Sequence, residues 1–480
     1  MPSWLSAWWP ELASALLSAA TLAVAIHAAL RKRDVRAAAA WIGLILLVPF
    51  AGVLLYWLLG INRVSRAAAR LRVGAPSYDY ADRVTATADQ LELQPTVSHL
   101  VGIARALDAA THRPLLGGNR VDVLRDGDEA YPAMLEGIAR AKRSVALGSY
   151  IFDNDAAGQR FAQALAAAHG AGVQVRVLID DAGARYSLPS IDRLLRRMGV
   201  PVARFLPVWT PRALGFLNLR NHRKLLIVDG ALGFTGGMNI RHGCVLAENP
   251  RSPTRDLHFR LEGPAVTELM KVFAEDWTFT THEVLAGETW FPRLERRGDS
   301  YARVISDGPD ADLDNMRWAF HSALASARHT VQILTPYFLP DEPLITALNV
   351  TALRGVRVDI VLPEKSNLRV VEWAMRGELW KVLGHGCRVW LTPPPFDHSK
   401  AMVVDSAWCL FGSANWDHRS LRLNFELGVE VYDPGLAQAV SSVIDQRMAS
   451  ARRLTREELD RAPRAVRLRD GVARLLSPHL

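Results

Sequence analysis

The sequence predicts an α/β fold of two pseudo-symmetric domains, each a mixed β-sheet flanked by helices, behind an N-terminal two-helix transmembrane hairpin. Two observations carry that prediction. A strand, a Tyr with a Phe one or two residues on, a helix, a Gly-Val and a second strand follow one another twice along the chain, and two long runs near the N-terminus carry no charge. A supersecondary order duplicated within one chain points to two similar domains about a pseudo-twofold axis. Long uncharged apolar runs point to helices that can span a bilayer.

The hairpin comes first. Residues 12–30 and 37–62 contain no Asp, Glu, Lys or Arg. At about 1.5 Å per residue the second run is about 39 Å long as a helix, enough to cross a hydrocarbon core with tilt, and the first is just sufficient. Trp4, Trp8, Trp9, Trp41, Tyr56 and Trp57 lie towards the ends of these runs, as interfacial aromatics do. The rival reading of the first run is a signal peptide. It lacks the basic n-region, since no Lys or Arg precedes Arg31, and it lacks a small-residue cleavage site. The connection RKRDVR (31–36) is short, so both ends of the hairpin face one side. Four basic residues in that connection balance Arg63, Arg66, Arg70 and Arg72 after the second run, so the positive-inside count does not fix the orientation.

Residues 1–72 form the hairpin and a basic juxtamembrane segment, and 73–117 read as a linker. SVALGSYIF (144–152) reads as a strand, GQRFAQALAAAHGAG as a helix and VQVRVLIDD (173–181) as a strand, within a domain spanning 118–290. TVQILTPYFL (330–339), PLITALNVTALRG and VRVDIVLP (356–363) repeat that series within 291–450. The tail, 451–480, has a helical rhythm and reads as a solvated or domain-packed helix rather than a membrane anchor.

Charge narrows the function classes. The chain carries +8, of which +6 lies in residues 1–72 and +4 in 451–480, leaving −2 for the catalytic region between them. A nucleic-acid enzyme spreads positive charge over its binding face. Here the charge sits at the chain ends, beside the apolar segments, where anionic lipid head groups attract it. The expected partners are therefore a membrane bilayer and its lipids, with no nucleic acid. Cys244, Cys387 and Cys409 are too few and too scattered for a disulfide framework or a zinc knuckle, which suits a reducing compartment.

Each repeat ends in one constellation. NHRKLLIVDGALGFTGGMN supplies His222, Lys224, Asp229 and Asn239; DHSKAMVVDSAWCLFGSAN supplies His398, Lys400, Asp405 and Asn415, at identical spacing. His and Lys two residues apart project from one face of a strand. An imidazole beside a fixed cation suits a phosphate: one group attacks or protonates and the other holds charge. Asp229 and Asp405 complete each constellation but have the opposite parity and sit at the turn, so they read as structural, pinning the hairpin. The returning strand brings Asn239 or Asn415 back, its amide a donor to a phosphoryl oxygen. The second motif has Ser413 where the first has Gly237, so one half-site lacks a hydroxyl donor. Lysine is a poor metal ligand and no carboxylate cluster stands at ligand spacing, so no metal is expected. No nucleotide fingerprint appears.

The paired patterns resemble the HKD motifs of the phospholipase D superfamily, over nearly the whole chain. TPYFLPDEPL (335–344), LPEKSN (362–367), DHRSLRLNFE (417–426) and the front-end WIGLILLVPFAGVLLYWLLG are similar to bacterial cardiolipin synthases. The resemblance implies two phospholipase D-like domains and a phosphohistidine mechanism without cofactor. His222 is then the nucleophile and His398 the acid/base, each with an orienting carboxylate downstream, Asp256 and Glu426. It also implies phosphatidyl transfer between two phosphatidylglycerol molecules, giving cardiolipin and glycerol, at the bacterial inner membrane with catalytic domains on the cytoplasmic side. A membrane-bound phospholipase D that hydrolyses phospholipids to phosphatidic acid uses the same residues, and the motif does not separate the two.

Overall fold

The structure, a computed structural model, describes residues 3–32, 35–57, 88–92, 94–111, 113–207, 219–309 and 312–477. The chain divides into two compact units, Met1–Ala68 and Ala69–Leu480.

In the first unit a helix covers Ser3–Arg31. Its Glu11–Arg31 stretch is, among the described residues, the one helix long and apolar enough to cross a membrane. The second uncharged run does not form the single long helix expected. It divides into Val35–Leu47 and Pro49–Leu55, and residues 58–62 lie outside the described residues. Pro49 is the cause. It has no N–H to continue the ladder, and its ring pushes Val48 out of the helical region, to φ −135° and ψ 73°. Close approach follows the break: a Cβ on Gly52 would stand 2.5 Å from the Leu44 carbonyl oxygen. Ala25, Ala28, Ile45 and Tyr56 are buried together, with the Tyr56 hydroxyl 2.9 Å from His27 Nδ1. Tyr56 is thus an interior residue of the hairpin, not an interfacial one, whereas Trp8 and Trp57 are exposed as expected. Leu12, Leu16, Leu22, Ile26 and Leu30 are exposed along the first helix.

The second unit is built on one sheet. From one edge its strands run Val202–Phe205, Gln174–Asp180, Ser144–Ser149, Leu225–Val228, Leu232–Gly236, Leu257–Glu262 and Leu116–Arg125. They continue Ser300–Asp307, Asn424–Tyr432, Trp408–Gly412, Ala401–Val404, Thr330–Leu334, Arg357–Pro363, Arg388–Thr392 and Arg452–Leu454. The order is a palindrome about the antiparallel pair Leu116–Arg125 and Ser300–Asp307. Seven strands on each side occur in the same chain order with the same pairing senses, and of these strands among the described residues Arg452–Leu454 alone lacks a counterpart. This is the duplicated α/β architecture the sequence predicts, with both repeats sharing one sheet. Leu225–Val228 and Ala401–Val404 are buried throughout because helices cover both faces.

The predicted strands end earlier than their apolar runs, at Ser149 and Leu334, because Tyr150–Phe152 and Tyr337–Leu339 leave this sheet on the way to the following helix. Those helices are Ala156–Gly170 and Glu342–Leu353. Each is capped by an aspartate: Asp155 accepts from Gly158 N, and Asp341 from Leu344 N. The stretch 73–117 is more than a linker. Residues 73–87 lie outside the described residues, but Val101–Ala110 is a helix whose Ile103, Ala104 and Leu107 enter the core beside Met316, Ala319 and Ala323. The tail adds the edge strand Arg452–Leu454 and the helices Arg456–Asp460 and Arg464–Arg474, the last packed on Arg369–Arg376.

Candidate active site

The strands Leu225–Val228 and Ala401–Val404 lie at matching places in the two halves, and each closes in a turn on an aspartate. Asp229 and Asp405 have φ 53° and 51°, a left-handed conformation that a short polar side chain tolerates. Their carboxylates turn away from the histidines. Asp229 accepts from the backbone N–H groups of Lys142, Arg143 and Ser144, and Asp405 from those of Arg328, His329 and Thr330. Asp405 also meets His99 Nε2 at 3.0 Å.

At the other end of these strands stand His222, Lys224, His398 and Lys400. They precede the strands rather than lying within them, because each histidine's N–H is drawn to the opposite half. His222 N donates to Phe425 O at 2.9 Å and His398 N to Arg255 O at 2.8 Å. The two imidazoles face each other with centroids 6.5 Å apart and planes at 79°. His222 Nδ1 lies 3.0 Å from Glu426 Oε2, and His398 Nδ1 lies 2.8 Å from Asp256 Oδ2. Each histidine is therefore oriented by the carboxylate of the other repeat, not by the one downstream in its own. Lys224 and Lys400 each donate from Nζ to the carbonyl of the histidine two residues before, at 2.5 Å.

Burial sets the protonation states. It lowers His222 to about 4, against the pull of Glu426, so the imidazole is neutral, with Nδ1–H given to Glu426 and Nε2 left bare. Burial, then Lys400 and Lys224, hold His398 well below its ordinary value. Burial also brings Lys224 down to about 7 and Lys400 to about 8.

The half-sites are unequal. Burial opposes ionisation of Glu426, but His222, Lys224 and Ser413 outweigh it and bring the carboxyl to about 2. Ser413 Oγ donates to it at 2.5 Å and Asn424 Nδ2 at 3.0 Å. Asp256 has His398 and the N–H of Leu257, and burial raises it to about 6. The asparagines differ likewise. Asn239 Oδ1 accepts from Ile151 N at 3.1 Å, whereas Asn415 hydrogen-bonds Asp417 and its buried Oδ1 has no partner among the described residues.

Two aromatic side chains join the site that the motif spacing did not identify. Tyr150 meets His222 edge-on with centroids 5.0 Å apart, and Tyr337 meets His398 at 6.5 Å. Lys224 Nζ lies 5.5 Å from the Tyr150 ring centroid. The signal was the tyrosine that follows the first apolar strand of each repeat, legible as a mark of duplication but not of a site.

The family model described as "Cardiolipin synthase, PLD-like domain" matches residues 134–277 and 320–448, and "Phospholipase_D-nuclease N-terminal" matches 19–60. The chain is 32% identical over 459 residues to "Major cardiolipin synthase ClsA" of Bacillus subtilis (strain 168), covering 94% of this chain and 95% of that protein. It is 30% identical over 460 residues to a cardiolipin synthase of Oceanobacillus iheyensis, covering 94% and 95%. Among solved structures, phosphatidylserine synthase of Haemophilus influenzae Rd KW20 superposes with a TM-score of 0.61 at 17% identity, over 79% of this chain and all of that one, a likeness of fold.

Proposed function

The chain belongs to the cardiolipin synthase family of phospholipase D-like proteins, and from that premise we propose that it transfers a phosphatidyl group between two phosphatidylglycerol molecules, giving cardiolipin and glycerol. The observation that carries the reading is the pair of facing imidazoles, each fixed at Nδ1 by a carboxylate, with two buried lysines beside them. The Nε2 lone pair of His222 attacks phosphorus as the bond to the glycerol oxygen breaks, and His398 protonates that oxygen. The second phosphatidylglycerol then loses a hydroxyl proton to His398. Its oxygen displaces His222, and the N–P bond breaks.

The inequality of the half-sites supports this division of roles. Glu426 stays ionised and accepts the Nδ1–H of His222, whose ring burial keeps neutral and nucleophilic, whereas burial raises Asp256, behind His398, to about 6. Lys224 and Lys400, with Asn239 and Asn415 around them, meet the phosphate charge; Ser413, expected to join them, instead gives its hydroxyl to Glu426. The repeats 118–290 and 291–450 act as paired phospholipase D-like domains. The N-terminal hairpin anchors the enzyme in the bacterial inner membrane, with the catalytic unit on the cytoplasmic side. Purified full-length enzyme in detergent, given phosphatidylglycerol alone, should produce cardiolipin and glycerol. Phosphatidic acid with glycerol would instead make water the acceptor. His222→Ala and His398→Ala should each abolish turnover with the fold intact, and more than a few per cent residual activity in either would sink the shared site.

A further inference from the structure

The helix Arg464–Arg474 buries one face against Arg369–Arg376. Asp470 and Ala473 are buried, Arg469 lies 4.7 Å over the Trp373 ring, and Asp470 pairs with Arg376. Its other face is apolar and bare. Leu468, Val472 and Leu475 follow at helical spacing and are 70%, 55% and 72% exposed. Beside them opens a cleft of about 530 Å³, lined by Trp380 and by Arg376, Arg456, Arg464, Arg467 and Arg474. Asp470 offsets Arg376, and Asp460 offsets Arg456. Arg464, Arg467 and Arg474 enter no salt bridge among the described residues. Trp380 is 45% exposed at the rim.

Leucines in the open, arginines in excess of the carboxylates beside them and an indole at the edge match the layers of an anionic bilayer. Apolar side chains enter the acyl boundary, guanidinium groups reach the phosphates, and indole sits at head-group depth. A protein partner would have to supply an apolar groove and at least three carboxylates in register, whereas a lipid surface presents both layers everywhere. We propose that this face is a peripheral docking surface for anionic phospholipid bilayers, with lipid phosphates seated in the arginine cleft.

The surface also connects to the catalytic centre. Arg369–Arg376 leads back to Asn367, whose Oδ1 accepts from the Tyr337 hydroxyl at 2.7 Å, and Tyr337 stands against His398. Docking therefore steadies one wall of the site through a single helix. The inference needs only the exposed face and does not depend on which acceptor the enzyme uses.

The test uses full-length enzyme in nanodiscs. Cys244, Cys387 and Cys409 are all buried, so Val472→Cys can be labelled with an environment-sensitive fluorophore. In phosphatidylglycerol-containing discs the label should shift to the blue and be quenched several-fold more by lipid-borne quenchers than in pure phosphatidylcholine discs. Replacing Arg464, Arg467 and Arg474 by Ser should remove the difference. Leu468→Ser with Leu475→Ser, which leaves the buried face untouched, should weaken quenching in both. A label insensitive to lipid composition would overturn the proposal in favour of a protein partner. Equal shifts produced by inorganic phosphate in detergent would overturn it in favour of a free-anion pocket.

Discussion

Gly237 and Ser413 occupy equivalent places, and the difference between them matches the difference between the carboxylates they face. Aspartate is one methylene shorter than glutamate, so Asp256 reaches its histidine only if the backbone closes in. A Cβ on Gly237 would then stand 2.4 Å from Asp256 Oδ1. Glu426 leaves room for a side chain and uses it, taking the Ser413 hydroxyl at 2.5 Å. Gly237→Ser should therefore lower kcat at least as far as Asp256→Asn does, by roughly 10²–10⁴, and steady-state kinetics would check it. The same pairing governs pH. Protonation of Asp256 removes the charge that orients His398 and supports its imidazolium, so kcat/KM should fall as pH drops through about 6. Lys224 loses its charge as pH rises through about 7, which sets the alkaline limb. Ser413→Ala acts on Glu426 and should leave the limb near 6 in place; a profile in which that limb moves would reassign it. Asp405 behaves differently. Burial works against its ionisation, but the backbone N–H groups it accepts from outweigh burial and hold it below its ordinary value. Its contribution to stability is present above the unfolded carboxyl pKa and is lost as pH falls through the folded one. Asp405→Asn should lower the melting temperature at neutral pH, abolish that acid dependence and largely spare the rate. The motif residues were legible because their spacing recurs. Which carboxylate serves which histidine was not, because distance along the chain does not report partners across a domain pair.

The elements whose pattern repeats were readable, and those at the centre of the sheet were not. Ser144–Ser149 and Thr330–Leu334 announce themselves as apolar runs followed by a Tyr, a nearby Phe and a capped helix. Leu116–Arg125 and Ser300–Asp307 do not, although they join the two halves. The first is irregular, with a register shift between Leu116 and Asn119 against its partner. Counting charges likewise missed Pro49, which breaks an uncharged run without changing its charge. The caps carry the prediction that belongs to this scale. Asp155 accepts from Gly158 N at 3.0 Å and from His242 N at 2.6 Å, so it ties a helix start to the loop after the first motif. Asp155→Ala should cost about 1–2 kcal/mol, seen as a lower melting temperature in detergent. Asp155→Asn, which keeps an acceptor, should recover most of it.

At the scale of the whole molecule the crossed carboxylates make neither repeat complete without the other. A p-nitrophenyl phosphodiester, whose leaving group departs without a proton, separates the two steps. Glu426→Gln should slow the labelling of His222, although Glu426 belongs to the second repeat. Asp256→Asn should allow labelling at near the normal rate and slow its release. Intact-protein mass spectrometry over time would show it, and the opposite pattern would exchange the roles of the two histidines. Crossing also has a consequence in time. His222 and Glu426 are 204 residues apart in the chain. At ribosomal speeds of about 5–20 residues per second, the histidine emerges on the order of 10–40 s before its carboxylate. Through that interval the nascent chain, its apolar N-terminal helix already made, carries an imidazole that nothing has yet oriented. Lipid chemistry therefore waits for nearly the last strand of the sheet, and a chain that stalls or is truncated before Glu426 reaches the membrane inert.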